Sequence, residues 1–349
     1  MVWAGLLILF FLLVIFKIKN QRKLNPELNS VSISIIIPFR NEIKNLENCL
    51  NSLLNEELKP GDEIIFINDH SEDNGADYLR AKYGQLILLE LNSGETGKKS
   101  ALAKGINYAK NEWIITLDAD CRIHDGYLNA MKMAMNEDTD MILARVFPDY
   151  GTDFPIKIIE QFESVLLSSM GYFSSLLNLP LLATGAALGF RKSMWNKVNR
   201  YNSHANIKSG DDVYLLRDFF MNKASITFIN HKNAVVLTQA ANKFSAWIDQ
   251  KARWANKQGI YPDLKRKALG IYFLIQLFLP SIVILFTIKL ALVLILLELI
   301  IVFGLLKLPI QKIKILLLYW FPLRIIYPFL VILILFKSRK TLSWKGRPI

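Results

Sequence analysis

Short apolar runs alternate with segments of helical spacing through the first half of the chain. The runs are rich in β-branched residues and stop at polar clusters, which is typical of buried strands. Between the first two runs, Leu46, Leu50 and Leu53 recur on one face of a helix. Strands that alternate with helices favour a doubly wound, mostly parallel α/β sheet with helices on both faces. The predicted strands are residues 32–38, 63–68, 86–91, 113–117 and 141–146.

Longer apolar runs near both ends of the chain predict membrane segments. Residues 2–16 have no basic region before them and no small-residue cleavage site after them, so they predict an uncleaved N-terminal transmembrane anchor. Three further runs, at 269–288, 290–306 and 315–336, predict C-terminal transmembrane helices. If all three runs cross, the basic tail lies outside, against its positive charge. Either the last run, which Pro322 and Pro328 interrupt, is re-entrant or interfacial, or one of the earlier runs does not cross. The prediction is therefore two or three C-terminal hydrophobic segments.

These runs divide the chain into five predicted parts. They are an anchor over residues 1–18, a linker over 19–30, a globular domain over 31–260, a membrane region over 261–340 and a basic tail over 341–349. Within the globular domain, the apolar helical stretch 156–179 is predicted to lie along the membrane surface or to cover a binding cleft.

The composition supports a membrane protein. A hydrophobic fraction of 52% and a mean hydropathy of +0.27 exceed those of an ordinary soluble domain. The formal net charge is +12, but many of the cations flank the apolar runs, as Lys17 and Lys19 do after the first and Lys337 does after the last. No nucleic-acid-binding motif accompanies them. The charge therefore favours an anionic membrane surface over nucleic acid.

The position of the cations also predicts a topology. Basic residues follow the first apolar run but do not precede it, which places the amino terminus outside and the globular domain in the cytoplasm. The two cysteines, Cys49 and Cys121, form neither a zinc pattern nor a Cys-x-x-Cys motif, which favours a reducing compartment. We therefore expect a multi-pass protein of the inner cell membrane with its globular domain in the cytoplasm.

Asp118 and Asp120 directly follow the predicted strand 113–117. On an extended backbone, residues two apart point to the same side, so the two carboxylates are expected to lie together. Hard anionic oxygens at the carboxyl end of a strand suit Mg²⁺ or Mn²⁺ that also binds the phosphates of a ligand. A second pair, Asp138 and Asp140, precedes its strand instead and is expected to be structural.

Two loops rich in small residues are further candidates for ligand binding. The loop over residues 94–99 lacks the spacing of a P-loop, but Lys98 or Lys99 at the start of a helix can neutralise a diphosphate. The alternative is a solvated pair of surface lysines. Gly185 lies in a stretch of small residues that indicates either backbone close to a ligand or tight packing.

Two helices carry polar side chains with more than one interpretation. Asp211 and Asp212 open a predicted helix, where they are either catalytic or simply favourable to the helix dipole. Gln250, Arg253 and Trp254 fall at i, i+3 and i+4, on one face of another predicted helix. That face can hold an anion and cap a second substrate, or it belongs to an amphipathic surface helix with a half-buried tryptophan.

Taken together, these motifs resemble those of the inverting glycosyltransferases of family 2, which have the GT-A fold, and particularly their bacterial membrane-anchored members. The resemblance covers about residues 31–260. Five motifs occur in order: Pro38-Phe39-Arg40-Asn41-Glu42, Asn68-Asp69-His70-Ser71 with Asp73, Asp118-Ala119-Asp120, Gly210-Asp211-Asp212, and Gln250 with Arg253 and Trp254.

The resemblance implies a role for each motif. Asp118 and Asp120 would bind the donor nucleotide and a divalent metal, Mg²⁺ or Mn²⁺, and Asp212 would be the general base beside Asp211. The nucleoside would be bound by Pro38, Arg40, Glu42 and Asp69. Gln250, Arg253 and Trp254 would close over the diphosphate and acceptor. From the two loops described above, Lys98 is a further candidate for binding the donor and Gly185 for contacting the diphosphate or acceptor. Asp211 departs from the usual glutamate, and His70 replaces a common second aspartate.

The implied activity is transfer of a sugar from a nucleotide-sugar donor, with a UDP-sugar favoured, to a lipid-borne acceptor at the cytoplasmic membrane face. Two alternatives remain open from the sequence. One is a subunit of a processive polysaccharide synthase, which shares the Gln-x-x-Arg-Trp motif. The other is a catalytically silent membrane protein that binds nucleotide sugars.

Overall fold

The computed structural model describes residues 24, 31–82, 86–149, 156–198, 201, 210–255, 261–308, 314–339, 343–344 and 347–348. The predicted N-terminal anchor and most of the linker and basic tail lie outside the described residues. Those three assignments, and the domain boundaries built on them, stay predictions.

The described residues form an α/β domain followed by three long helices. The strands are β1 (Ile33–Phe39), β2 (Glu63–Asn68), β3 (Ile87–Glu90), β4 (Trp113–Thr116), β5 (Cys121–Ile123), β6 (Met141–Leu143), β7 (Arg145–Pro148), β8 (Leu188–Arg191), β9 (Ile226–Phe228), β10 (Val235–Thr238), β11 (Ser343–Trp344) and β12 (Arg347–Pro348). The helices are α1 (Ile43–Leu54), α2 (Gly75–Lys82), α3 (Lys98–Tyr108), α4 (Tyr127–Lys132), α5 (Ile156–Leu176), α6 (Lys192–Lys197), α7 (Asp211–Met221), α8 (Phe244–Ala255), α9 (Leu264–Val283), α10 (Ile288–Leu305) and α11 (Lys314–Ser338).

The central sheet has seven strands in the order β3-β2-β1-β4-β8-β6-β9, and only β8 among them runs antiparallel to its neighbours. In the register of the parallel strands, Phe39 lies beside Asn68 and Ile36 beside Thr116. The carboxyl ends of β1, β2 and β4 therefore meet at one edge of the sheet. This confirms the predicted mostly parallel α/β architecture, and it brings the polar residues after each strand to a common edge.

Two features of the sheet differ from the sequence prediction. The apolar run 141–146 is not a single strand, because the chain passes from β6 in the central sheet to β7 in a separate three-stranded sheet with β5 and β10. The antiparallel strand β8 was not predicted either. It is only four residues long, includes Gly189 and pairs with strands far away along the chain.

Helix α5 has one face buried between the domain and the last long helix. It packs against β7, β9 and α11, and Phe162 on α5 contacts the rings of Trp320 and Tyr327 at centroid distances of 4.7 and 5.4 Å. The predicted helix at 156–179 is therefore present, but it is an internal support rather than a surface helix. The long helices and the domain share one hydrophobic core.

Within the described ranges, three helices are long and apolar enough to cross a membrane, namely α9, α10 and residues 316–338 of α11. Helix α11 is continuous through Pro322 and Pro328, so the third hydrophobic run is helical along its length. Pro280 within α9 lacks an N–H group and leaves the Gln276 carbonyl without its usual helical donor. Arg324 of α11 donates to that carbonyl at 2.6 Å and forms an ion pair with Glu298 of α10 at 2.7 Å. One side chain thereby joins all three helices.

Candidate active site

The site is built around the residues that follow β4. Leu117 still donates a backbone hydrogen bond to Ile36, so the chain stays extended up to Asp118. The Asp118 side chain is one-third exposed, and Asp120 is exposed to solvent. Buried Thr116 donates its hydroxyl to the Gly185 carbonyl at 2.6 Å, which brings the Gly185 segment against the end of β4. Both carboxylates are thus accessible to a ligand at the carboxyl edge of the sheet.

Lys98, the first residue of α3, links two of the acidic motifs. Its Nζ atom lies 2.7 Å from an Asp118 oxygen and 3.3 Å from an Asp211 oxygen. Burial alone lowers the pKa of the Lys98 ammonium, but the facing carboxylates outweigh burial and hold this pKa well above its ordinary value. Lys99 instead lies over the ring of Tyr214 at 5.6 Å. Of the two candidate lysines, Lys98 is the one in the site.

Asp120 carries an unfavourable negative charge. Although its side chain is open to solvent, the surrounding protein and then the carboxylates of Asp118 and Glu42 raise the pKa of Asp120 to about 6. Cys121 donates its thiol to Asp120 at 3.4 Å, and Lys98 offsets the repulsion only in part. A cation at this carboxylate would relieve the repulsion.

The residues present fit a divalent ion of the magnesium type. No group of three or more histidine, cysteine, aspartate or glutamate side chains within the described part of the chain forms a ready-made metal cage. Mg²⁺ commonly binds through one or two carboxylates, with the rest of its shell supplied by water and substrate phosphates. The accessible pair Asp118 and Asp120 matches that mode of binding.

Gly185 is the closest neighbour of the acids that open α7. Its N–H donates to Asp212 Oδ2 at 3.3 Å, and the Val213 N–H donates to Asp212 Oδ1 at 2.7 Å. A Cβ atom at Gly185 would lie 2.9 Å from both Asp211 Oδ2 and Lys98 Nζ. The absence of a side chain at this position therefore lets Lys98 and the two acids meet.

We expect Gly185→Ala to fold normally and to lose about tenfold or more of any activity that depends on this cluster. The two atoms it would displace are the ends of flexible side chains, so the change disturbs the site rather than the core. The measurement is the kcat/KM of the purified variant together with its thermal midpoint.

Gly189→Ala is the matched control for that variant. A Cβ atom there would meet Met131 Cε at 2.9 Å, inside the apolar core. This control is expected to lower the thermal midpoint while the folded protein keeps its activity. Normal kcat/KM in Gly185→Ala would show that the close approach has no role.

The ends of β1 and β2 form a second polar group beside the first. Arg40 donates to the Asp69 carbonyl at 3.1 Å, and the Gly97 N–H donates to Asp69 Oδ2 at 3.1 Å. His70 contacts the Glu95 carbonyl at 2.9 Å. Asp69 and His70 therefore hold the loop that leads into Lys98, and Pro38 is buried within β1 next to them.

A surface cleft of 420 Å³ lies near this group, but it is not the predicted donor pocket. Its lining comprises Asn41, Glu42, Ile43, Lys44, Asn45, Glu72 and Asp73. It shares only Glu42 with the candidate site residues. The cluster that Lys98 forms with Asp118, Asp211 and Asp212 is a better indication of where the site lies than the volume of this cleft.

Gln250, Arg253 and Trp254 lie on α8, and Trp254 is 46% exposed. Among the hydrogen bonds and ion pairs recorded between described residues, none joins these three side chains to the carboxylate cluster. Helix α8 instead packs on α11. The structure thus brings together Lys98, Asp118, Asp211, Asp212 and Gly185, and it leaves the α8 side chains apart from them.

The second Asp-x-Asp pair lies away from the site, as predicted. Asp140 accepts a hydrogen bond from the Ser225 N–H at 2.8 Å, and the Asp138 N–H donates to Asn136. Both residues precede β6, whose direction matches that of β4, so they lie at the opposite edge of the sheet. Thr116 was not among the predicted site residues. Its position two residues before Asp118, on the same side of β4, was the available signal.

Comparison with known proteins identifies the class. Residues 34–196 match the model of glycosyl transferase family 2. The chain is 23% identical over 257 residues to the poly(ribitol-phosphate) beta-N-acetylglucosaminyltransferase TarP of Staphylococcus aureus, a match that covers 67% of this chain and 75% of TarP. It is 34% identical over 93 residues to the undecaprenyl-phosphate 4-deoxy-4-formamido-L-arabinose transferase of Serratia proteamaculans, covering 25% of this chain and 28% of that protein.

A solved structure shares the fold over nearly the whole chain. It is the mannosyltransferase PcManGT from Pyrobaculum calidifontis in complex with GDP-Man and Mn²⁺, with a TM-score of 0.62 at 14% identity, covering 97% of this chain and 94% of that one. The fold is therefore that of a GT-A glycosyltransferase. Residues 34–196 form a family 2 glycosyltransferase domain.

Proposed function

We propose that this protein is a membrane-bound inverting glycosyltransferase. It moves a sugar from a nucleotide-sugar donor to a lipid-borne acceptor at the cytoplasmic face of the inner membrane. The observation that carries the proposal is the meeting of Lys98 with Asp118 and Asp211, next to Asp212, at the carboxyl edge of the sheet. This arrangement supports the proposal, because departure of a nucleoside diphosphate needs a cationic group and attack by an acceptor hydroxyl needs a nearby carboxylate base.

On the donor side, Asp118 and Asp120 would hold a divalent ion beside the diphosphate. When bound, that ion neutralises negative charge on the leaving nucleoside diphosphate. Lys98 supplies further positive charge at the same place, since a diphosphate can replace Asp118 as its partner. The nucleoside lies against the β1 and β2 ends, where it contacts Pro38, Arg40, Glu42 and Asp69.

On the acceptor side, Asp212 takes the proton from the attacking hydroxyl. The Gly185 and Val213 N–H groups orient its carboxylate at 3.3 and 2.7 Å, and Asp211 remains paired with Lys98. A single base that serves one direct displacement leads to inversion at the anomeric carbon. Gln250, Arg253 and Trp254 of α8 close over the diphosphate and the acceptor.

Two findings support a lipid-borne acceptor. Helices α9 to α11 are long and apolar enough to tether the domain at a bilayer. The Serratia proteamaculans relative is named as a transferase of undecaprenyl phosphate, a lipid phosphate. A tethered site needs to reach only the membrane surface, where a lipid acceptor is concentrated.

Purified protein with Mg²⁺ or Mn²⁺, radiolabelled nucleotide sugars and membrane lipid extract tests the proposal. UDP- and GDP-linked donors are screened in parallel. Label in a short product that extracts into organic solvent supports the proposed function. Label only in a long water-soluble polymer would favour a processive synthase. Donor binding without turnover would favour a silent binding protein.

The cytoplasmic location of the domain has its own test. Protease added to intact cells is expected to leave the domain uncut, whereas the same protease added to inverted membrane vesicles cuts it. Labelling of native thiols is a poor substitute, because Cys49 and Cys121 are both free but buried. Cleavage in intact cells would place the domain on the outer side.

A further inference from the structure

Helix α8, which carries Gln250, Arg253 and Trp254, is held by two carboxylates of α5. Both Glu160 oxygens lie 3.3 Å from the Ala241 N–H, three residues before α8 begins. One turn further along α5, Glu163 Oε2 forms an ion pair with Lys251 Nζ at 2.5 Å. Residues at i and i+3 share one helix face, so a single face of α5 fixes both the start and the body of α8.

The same carboxylate also connects α8 to a membrane helix. Tyr327 of α11 donates its hydroxyl to Glu163 Oε1 at 2.8 Å. Each oxygen of Glu163 thus receives one donor, Lys251 from α8 and Tyr327 from α11. A second tie between these two helices, the ion pair of Lys337 with Asp249 at 2.6 Å, is more exposed.

Lys251 also contacts Trp254, near the end of α8. Its ammonium lies 4.0 Å from the ring centroid of Trp254, within the range of a cation–π contact. A continuous series of contacts therefore runs from Tyr327 through Glu163 and Lys251 to Trp254. We name these four residues the α11–α8 relay.

The centre of the relay is buried. The Lys251 and Glu163 side chains are 9% and 7% exposed, and Tyr327 is 6% exposed. A buried ion pair is a poor source of stability compared with apolar packing, but it fixes the geometry of its members because neither charge tolerates the loss of its partner. By contrast, Trp254 at the end of the relay is largely open to solvent. The buried part therefore sets the position of an exposed aromatic residue.

We propose that Glu163 and Tyr327 are positioning residues that hold Trp254, and with it the adjacent Arg253, in the orientation needed for sugar transfer. The inference rests on the proposed function, since it takes Arg253 and Trp254 to close over the diphosphate and acceptor. Through this relay, the membrane helix α11 sets the geometry of the acceptor side of the site. Neither residue contacts the reacting atoms.

Tyr327→Phe is the sharpest test, because it removes one hydroxyl from the relay and keeps the ring that packs on Phe162. We expect kcat for transfer to fall about tenfold, the effect of one hydrogen bond to a charged group, while the donor KM stays within about twofold. Glu163→Gln, which leaves Lys251 without its countercharge, is expected to lower kcat further. Glu163→Gln combined with Lys251→Met should recover the thermal midpoint, since no buried charge is then unpaired, but it should not recover kcat, since the contact of Lys251 with Trp254 is lost as well.

Lys337→Gln is the matched control. It breaks the more exposed tie between the same two helices and is expected to leave kcat within about twofold. Thermal midpoints are recorded for every variant. A lower midpoint with unchanged kcat in Tyr327→Phe would mean that the relay is only structural, and it would overturn the inference.

A spectroscopic readout separates this inference from the proposed function. Among the tryptophans whose side chains the structure describes, Trp254 is the exposed one. Its fluorescence emission is obtained by subtracting the emission of a matching protein that also carries Trp254→Phe. Tyr327→Phe is expected to increase acrylamide quenching of that emission. If the wild type transfers no sugar at all, the proposed function fails, while this measurement still tests the relay. Equal quenching in wild type and Tyr327→Phe would contradict the relay even if transfer is normal.

Discussion

Asp212→Asn is expected to lower sugar transfer by about 10²–10⁴-fold while the affinity for the donor nucleotide changes by only a few fold. A base acts in the transition state, so its loss affects kcat and leaves ground-state binding of the donor intact. Asparagine retains one oxygen, which can accept from the Val213 N–H as Asp212 Oδ1 does, so only the longer hydrogen bond from the Gly185 N–H should be lost. The measurements are single-turnover transfer and nucleotide binding on the same preparation.

Asp211→Asn is the comparison for that variant. Asp211 pairs with Lys98 at 3.3 Å, so its loss should alter donor affinity as well as turnover. Near-normal transfer in Asp212→Asn, together with an inactive Asp211→Asn protein, would move the role of base by one residue.

Asp120→Asn is expected to lower the turnover rate at least about 100-fold. The same change is expected to stabilise the metal-free protein at neutral and higher pH. The folded-state pKa of Asp120, about 6, lies above its ordinary value of 3.8. Its charge therefore destabilises the fold above about pH 6, and this cost disappears as the pH falls towards 3.8. Because the side chain is exposed, solvent screening limits the gain to about 1 kcal/mol.

Thermal midpoints at pH 8 and pH 4, with and without Mn²⁺, test this second expectation. Without metal, the variant should melt above the wild type at pH 8 and level with it at pH 4. With Mn²⁺ at pH 8, the wild type should gain stability and the variant should gain little. Asp138→Asn, in the other Asp-x-Asp pair, should leave the turnover rate nearly unchanged. Equal losses of turnover in Asp120→Asn and Asp138→Asn would refute the assignment of the metal site.

The position of the site could be predicted from the sequence because it depends on local order along the chain. Asp118 and Asp120 follow a strand, whereas Asp138 and Asp140 precede one, and the direction of the strands then decides which pair reaches the carboxyl edge. The resemblance to the family motifs added Asp211 and Asp212, at the start of α7, to the predicted site. In contrast, nothing local distinguishes Lys98 from Lys99, because both open the same helix. Only their tertiary contacts separate them, namely the ion pairs of Lys98 with two carboxylates and the packing of Lys99 on Tyr214.

What escaped prediction depends on contacts between distant parts of the chain. Strand β8 is short and is defined by partners in β4 and β6, so its four residues carry little signal by themselves. The continuity of α11 through Pro322 was left open because prolines normally interrupt helices. The α11–α8 relay could not be predicted either, since Tyr327 and Glu163 are 164 residues apart along the chain.

The bond between Arg324 and the other two long helices bears on how the chain is made. The Gln276 carbonyl and the Glu298 carboxylate both receive their donor from the helix that is synthesised last. In a bilayer, a hairpin of α9 and α10 without α11 would expose to lipid a charge and an open carbonyl that hydrocarbon cannot satisfy. Assembly of these three helices would therefore be complete only after the ribosome has synthesised α11.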